Sequence, residues 1–151
     1  MPRRVKKTTM NDNLKIFRPD FGSSVEIPLA ESGVHAGFPS PAEDFFDGSL
    51  DLNKLVVKHP EATFFARVEG DSMKDEGILD GDLLVVDKAI EPYDGCLAVS
   101  YIDGEFTLKR VRMEGGKVLL VPSNSRYATI EITPDNEFAI WGVVHFIVKR
   151  V

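Results

Sequence analysis

The residues whose types could best carry out catalysis are a serine and a lysine 37 positions apart, Ser72 and Lys109. Ser72 stands in Gly70-Asp71-Ser72-Met73, directly after the strand-like run 64–69. A serine at a sharp exit from a strand can project its hydroxyl and leave backbone N–H groups nearby, as a nucleophile with an oxyanion hole requires. Because Gly-x-Ser also occurs in ordinary turns, the motif by itself favours a plain turn.

The hairpin signal Asp103-Gly104 determines where Lys109 lies. A two-residue turn there places Lys109 opposite Ala98, on a face of small residues that also carries Thr107. Desolvation on such a face would lower the lysine pKa towards that of a general base. On the residues alone, however, the favoured interpretation is a half-exposed lysine that extends its ammonium to water. The opposite face carries the predicted core: Leu97, Val99, Tyr101, Phe106 and Leu108.

Other catalytic arrangements are weaker. His35 lies in a Gly/Pro-rich linker, His59 precedes a proline, and His145 lies within an apolar strand-like run, so a Ser-His-Asp triad is not favoured. Cys96 is interpreted as a small strand hydrophobe rather than a thiolate nucleophile. Three scattered histidines give no ligand spacing, and the glycines form no phosphate-binding pattern. We therefore expect no metal and no cofactor.

Composition indicates an ordinary globular protein of 151 residues, with 43% hydrophobic and 28% charged residues. The net charge of -6 argues against a general nucleic-acid binder. A single cysteine excludes an internal disulfide framework and suits a reducing compartment. No apolar run has the length of a membrane span. We expect a soluble, cytoplasmic protein.

The chain divides near residue 36. Residues 1–36 lack sustained periodicity and predict an extended, flexible arm with brief strand-like pieces at 14–17 and 25–29. A linker at 33–41 contains Ala36-Gly37, two minimal side chains that a protease pocket for small residues could accept. Short helical signals occur at 40–43 and 51–57.

The remainder predicts a mostly β fold, a compact and strongly bent antiparallel sheet assembly with one or two short helices. The predicted strands are 63–69, 82–88, 95–102, 105–113, 117–121, 128–132 and 137–149.

Several motifs together resemble the self-cleaving Ser-Lys peptidases of the LexA, phage repressor and UmuD group (peptidase S24), most closely its UmuD-like members. These motifs are Ala36-Gly37-Phe38-Pro39-Ser40-Pro41, His59-Pro60, Gly70-Asp71-Ser72-Met73, Gly77, Asp80-Gly81-Asp82, 103–109 and Trp141-Gly142-Val143-Val144. Their order and spacing carry the resemblance: Ala36 lies 36 residues before Ser72, and Lys109 lies 37 after it.

The resemblance implies a LexA-like C-terminal or signal-peptidase-type fold and a specific chemistry. Ser72 would be the nucleophile and Lys109 the general base, which reverses the interpretation of Lys109 from the residues alone. Backbone N–H groups of Ser72 and Asp71 would form the oxyanion hole. The cut would fall between Ala36 and Gly37, so that arm 1–36 is removed from a peptidase domain at 37–151.

The same resemblance implies a role in the SOS response. The trimmed homodimer would serve an error-prone, UmuC-like Y-family DNA polymerase, and a RecA filament on single-stranded DNA would activate cleavage. Two alternatives stay open: a catalytically silent interaction module for a polymerase, and a repressor-type regulator without its DNA-binding domain. Because the arm is too short for a helix-turn-helix domain, no sequence-specific DNA binding is expected.

Overall fold

The structure, a computed structural model, describes residues 13–22, 26–30 and 46–151. These residues fall into two compact units: residues 13–19 with 59–151, and the residues within 20–58. The predicted boundary at residues 36 and 37 lies outside the described residues and stays a prediction.

The larger unit is built on one curled eight-stranded sheet in which every neighbouring pair is antiparallel. Its strands, in chain order, are β1 (Asn13–Phe17), β4 (Thr63–Glu69), β5 (Leu83–Asp87), β6 (Leu97–Ile102), β7 (Glu105–Glu114), β8 (Lys117–Val121), β9 (Ile130–Glu131) and β10 (Phe138–Val148). Their order in the sheet is β1-β4-β5-β10-β6-β7-β8-β9. The predicted fold class, mostly β with a strongly bent antiparallel sheet and few short helices, is confirmed.

The smaller unit contains a two-stranded sheet and the only α-helix of the described residues. Strand β2 (Glu26–Ala30) pairs with β3 (Phe46–Asp51), and α1 (Leu52–Val56) follows directly. The Asp51 side chain accepts a hydrogen bond from the Asn53 N–H, which satisfies one of the unpaired donors of the first turn. The helical turn predicted at 51–57 is confirmed, whereas the one at 40–43 lies outside the described residues.

Two short 3-10 turns, Pro60–Ala62 and Lys74–Glu76, flank β4 in the larger unit. The second follows Ser72 directly. The extended pieces predicted at 14–17 and 25–29 form strands β1 and β2.

Apolar side chains cover both faces of the central hairpin β6–β7. Leu97, Val99 and Leu108 belong to one buried cluster, to which Met73, beside Ser72, also contributes. Cys96 and Ala98 belong to a second cluster. Alternate residues of each strand point to opposite sides of the sheet, and apolar clusters cover both sides. The face that carries Lys109 is therefore buried as well.

Strand β10 bends the sheet between β5 and β6. Its register shifts between Ile140 and Gly142 against β6, and between Val144 and Phe146 against β5. Such bulges increase local twist and curl a sheet. A Cβ atom at Gly142 would lie 2.6 Å from Val86 Cγ1, so the close approach of β10 to β5 requires glycine here.

Candidate active site

A buried contact joins Ser72 to Lys109. Lys109 Nζ lies 3.1 Å from Ser72 Oγ and 2.6 Å from Thr107 Oγ1. Ser72 is 1% exposed and Lys109 is fully buried. Strand β4 ends at Glu69, and Gly70, with φ of 113°, turns the chain so that Ser72 reaches the lysine.

Strand pairing explains how the lysine arrives there. Lys109 pairs with Ala98 across β6 and β7, as the hairpin register predicted. The expectation that its ammonium extends to water is wrong, because the second apolar cluster covers this face. Burial in a poorly polarisable setting disfavours the ammonium form. In the neutral form, Nζ can accept the Ser72 hydroxyl proton across the same short contact.

Thr107 is a site residue whose role the sequence did not reveal. It is fully buried, two residues before Lys109 on the same face of β7. Its hydroxyl accepts a hydrogen bond from Nζ and thereby holds the amine beside Ser72. The sequence signal that could have identified Thr107 was strand alternation, which placed it on the same face as Lys109.

The loop after β8 holds the backbone around Ser72. Asn124 Nδ2 donates to the Asp71 carbonyl at 2.7 Å, and Tyr127 OH donates to the Asp71 carboxylate at 2.7 Å. The Ser123 N–H donates to the Ser72 carbonyl at 2.9 Å. Because C=O and N–H point to opposite sides of a trans peptide, the Asn124 contact directs the Ser72 N–H away from Asn124. This contact thus sets the orientation of one predicted oxyanion donor.

A charged contact secures the turn that follows Ser72. The Arg110 guanidinium donates to both carboxylate oxygens of Glu76, with a shortest distance of 2.9 Å, and Ser123 Oγ donates to Glu76 at 2.6 Å. Arg110 also donates to the Gly95 carbonyl. Burial alone would raise the pKa of Glu76, but the hydrogen bonds from Arg110 and Ser123 and the Arg110 charge lower it below its ordinary value.

Replacing this glutamate should remove a pH-dependent part of the stability. A carboxyl whose pKa is lowered by folding stabilises the protein above its unfolded pKa, here about 4.5, and the stabilisation is lost as pH falls through the folded value. Glu76→Gln should therefore lower the free energy of unfolding at pH 7 by about 1 kcal/mol, a value reduced for partial exposure. In denaturant titrations the difference from wild type should shrink as the pH falls below about 4.5 and through the lowered pKa of Glu76 in the folded protein.

Glu114→Gln is the matched control, because Glu114 pairs with Arg112 at a well-exposed position. Its effect should be small at every pH. A Glu76→Gln deficit that persists undiminished in acid would contradict the assigned role of the carboxylate charge.

The two histidines within the described residues, His59 and His145, contact residues other than Ser72. His59 Nδ1 lies 2.6 Å from the carboxylate of the fully buried Asp87, and the His145 ring packs edge-on against Phe146. His35 lies outside the described residues. Cys96 is buried and unpaired with any other cysteine, as a small hydrophobe would be.

Ala36 and Gly37 also lie outside the described residues, so the predicted cut has no position relative to Ser72. In the described part of the chain, no group of three or more His, Cys, Asp or Glu side chains could hold a metal ion. Across the same ranges, no helix has the length and hydropathy to cross a membrane.

Sequence comparison identifies the class to which this fold and buried Ser-Lys contact belong. The family model described as "Peptidase S24-like" matches residues 28–145, most of the chain. Protein SamA of Salmonella typhimurium is 45% identical over 117 residues, which are 78% of this chain and 81% of that protein. Protein MucA of Escherichia coli is 43% identical over 131 residues, or 85% of this chain and 89% of that protein.

LexA repressor 1 of Pseudomonas syringae pv. tomato is 41% identical over 134 residues. These cover 88% of this chain but only 64% of that protein. The chain therefore belongs to the peptidase S24 family, as a UmuD-like member.

Proposed function

We propose that the chain is a serine peptidase that uses a Ser72–Lys109 dyad to cut its own Ala36-Gly37 bond. The observation that carries this proposal is the 3.1 Å contact between Lys109 Nζ and Ser72 Oγ in a buried setting. A serine hydroxyl is a weak nucleophile until an adjacent base accepts its proton, and a buried amine is such a base. Membership of the peptidase S24 family supports the same chemistry.

The reaction is acyl transfer followed by hydrolysis. Neutral Lys109 takes the Ser72 Oγ proton while Oγ bonds to the Ala36 carbonyl carbon, and the resulting oxyanion is stabilised by the N–H groups of Ser72 and Asp71. The C–N bond then breaks, and Lys109 gives its proton to the departing Gly37 amine. Water, deprotonated by Lys109, next attacks the Ala36 ester and regenerates Ser72.

The substrate is a segment of the same chain or of its dimer partner. Its high effective concentration replaces a binding pocket for foreign peptides. An activator needs only to favour the conformation in which the segment occupies the site. A RecA filament on single-stranded DNA is the activator that the UmuD-like relationship suggests.

The biological role we propose is in DNA damage tolerance. After cleavage, the trimmed homodimer acts in the cytoplasm as an accessory subunit of a Y-family, UmuC-like polymerase in the SOS response. The UmuD-like relatives, of which MucA and SamA are two, support this role.

Mass spectrometry of purified protein across a pH series tests the peptidase activity. Incubation with a RecA–single-stranded-DNA filament, and without it at alkaline pH, should yield products ending at Ala36 and beginning at Gly37. The rate of self-cleavage without the filament should rise up to tenfold per pH unit while protonation of Lys109 limits it. Intact protein under all conditions, combined with binding to a polymerase, would instead identify a silent interaction module.

A further inference from the structure

Among the residues that the structure describes, β1 alone covers the outer side of strand β4. β4 pairs with β5 on its inner side and with β1 on its outer side. Because the N–H and C=O of Val68 bond to residues 82 and 81, alternation directs the backbone groups of Phe65, Arg67 and Glu69 towards β1. Five residue pairs join the two strands, from Asn13 opposite Glu69 to Phe17 opposite Phe65.

Two side chains of β1 complete the interior. Leu14 and Ile16 pack against the cluster that contains Ala66 and Val68. Ala66 is fully buried and Val68 is 3% exposed with β1 in place. Without β1, both the ladder groups of β4 and part of this apolar cluster would face water, which is a template for another strand.

The opposite face of β1 makes charged and aromatic contacts with side chains of β4. Lys15 Nζ lies 3.6 Å from a Glu69 carboxylate oxygen. The Phe17 ring lies edge-on to Phe65 with 6.2 Å between ring centroids, and the Arg67 guanidinium lies 6.0 Å from the Phe17 centroid. The edge thus accepts an extended segment with alternating apolar residues on one side, and a cation and an aromatic ring on the other.

We propose that the outer edge of β4 is a strand-addition site, which β1 occupies in the intact chain and an extended segment of a protein partner occupies afterwards. The timing rests on the proposed self-cleavage: β1 precedes Ala36, so cutting there turns a tethered strand into a separate peptide. The separated arm is held only by the β1–β4 and β2–β3 ladders and pays the entropy of association that the tether had removed, so it leaves on dilution once both ladders open. The partner segment has the pattern of β1: apolar, cation, apolar, aromatic.

This site can be tested in the full chain without any cleavage. In a Ser72→Ala background, Ile16→Asp places a charge against the apolar cluster and should displace β1. A fluorescent peptide of residues 13–19 should then bind this double variant at least about tenfold more tightly than it binds the Ser72→Ala parent. The reason is that the tethered competitor, β1, no longer occupies the edge. Lys15→Pro, which removes a ladder N–H, should have the same effect through the backbone.

Matched controls show whether peptide binding depends on the outer edge of β4 or on any change of an exposed residue. Tyr93→Asp in the same background changes an exposed side chain outside β1 and β4 and should leave peptide binding at the parent value. A peptide carrying Ile16→Asp should not bind. Adding Glu69→Lys to the opened chain should lower its affinity for the wild-type peptide by about threefold. A peptide carrying Lys15→Glu should bind this chain with the original affinity, because the charge pair is restored in reverse.

Equal peptide binding by the parent and by both opened variants would overturn the proposal. Opened variants that form a larger assembly than the Ser72→Ala parent and bind no peptide would overturn the chosen occupant and identify a second copy instead. Since every chain here lacks the nucleophile, neither result bears on self-cleavage. Conversely, a wild-type chain that never cuts itself would remove the trigger and leave the edge site standing.

Discussion

Ser72→Ala should abolish self-cleavage at Ala36-Gly37 in both alkaline and RecA-stimulated assays. Removing one member of a nucleophile–base unit typically costs about 10⁴- to 10⁶-fold in rate, because the remaining member cannot form the acyl-enzyme alone. Lys109→Met should give the same loss, since the thioether fills the buried volume but accepts no proton. Mass spectrometry after prolonged incubation measures both.

Two controls distinguish lost chemistry from lost structure. Ser125→Ala and Lys117→Ala change an exposed serine and an exposed lysine and should cleave at the wild-type rate. Thermal unfolding should show that Ser72→Ala and Lys109→Met remain folded. Cleavage by a folded Lys109→Met protein at the wild-type rate would exclude this lysine as the base.

Asn124→Asp should slow cleavage by about 100-fold, comparable to losing one oxyanion donor. Asn124 is 4% exposed, its Oδ1 accepts from the Arg126 N–H, and its Nδ2 donates to the Asp71 carbonyl. Aspartate is of nearly the same size but directs an oxygen at that carbonyl. The repulsion should rotate the Asp71–Ser72 peptide and misdirect the Ser72 N–H.

The pH profile of cleavage identifies the step that Asn124 serves. A positioning role predicts that Asn124→Ala, which adds no charge, has a lower plateau rate with an unchanged midpoint, because the Lys109–Thr107 contact is untouched. Asn124→Ala, which removes the donor without adding repulsion, should lose less activity than Asn124→Asp. Wild-type cleavage by a folded Asn124→Asp protein would show that the contact does not orient the oxyanion hole.

Strand positions and the central register followed from local chemistry. Asp103 and Gly104 both adopt positive φ, 48° and 93°, as the predicted two-residue hairpin turn requires. That turn alone places Lys109 opposite Ala98. Turn signals and strand alternation act over a few residues, so one sequence suffices to interpret them.

The burial of Lys109 did not follow from local chemistry. Alternation gives the face on which a side chain lies but not whether a distant segment covers that face. Here the second apolar cluster includes Leu120 of β8 and Val143 of β10, both far from the hairpin turn. Residues alone therefore favoured exposure, and the family resemblance was needed to reverse that interpretation.

The contacts of Ser123, Asn124 and Tyr127 with the backbone and side chain around Ser72 were also beyond local reasoning. The predicted strands 117–121 and 128–132 place Pro122-Ser123-Asn124 in the connection after β8. The partner of Asn124, however, is the Asp71 carbonyl 53 residues earlier. Only the folded chain brings these two loops together.

The pairing of β2 with β3 separates two events that a denaturing gel would report as one. Glu26–Ala30 lies before the proposed cut and Phe46–Asp51 after it, and four residue pairs join them. A chain cut at Ala36-Gly37 is therefore a nicked hairpin, whose halves stay associated until this ladder opens. Peptide-bond hydrolysis and departure of the arm should have independent rate constants, and native mass spectrometry would resolve the nicked, still-assembled species between them.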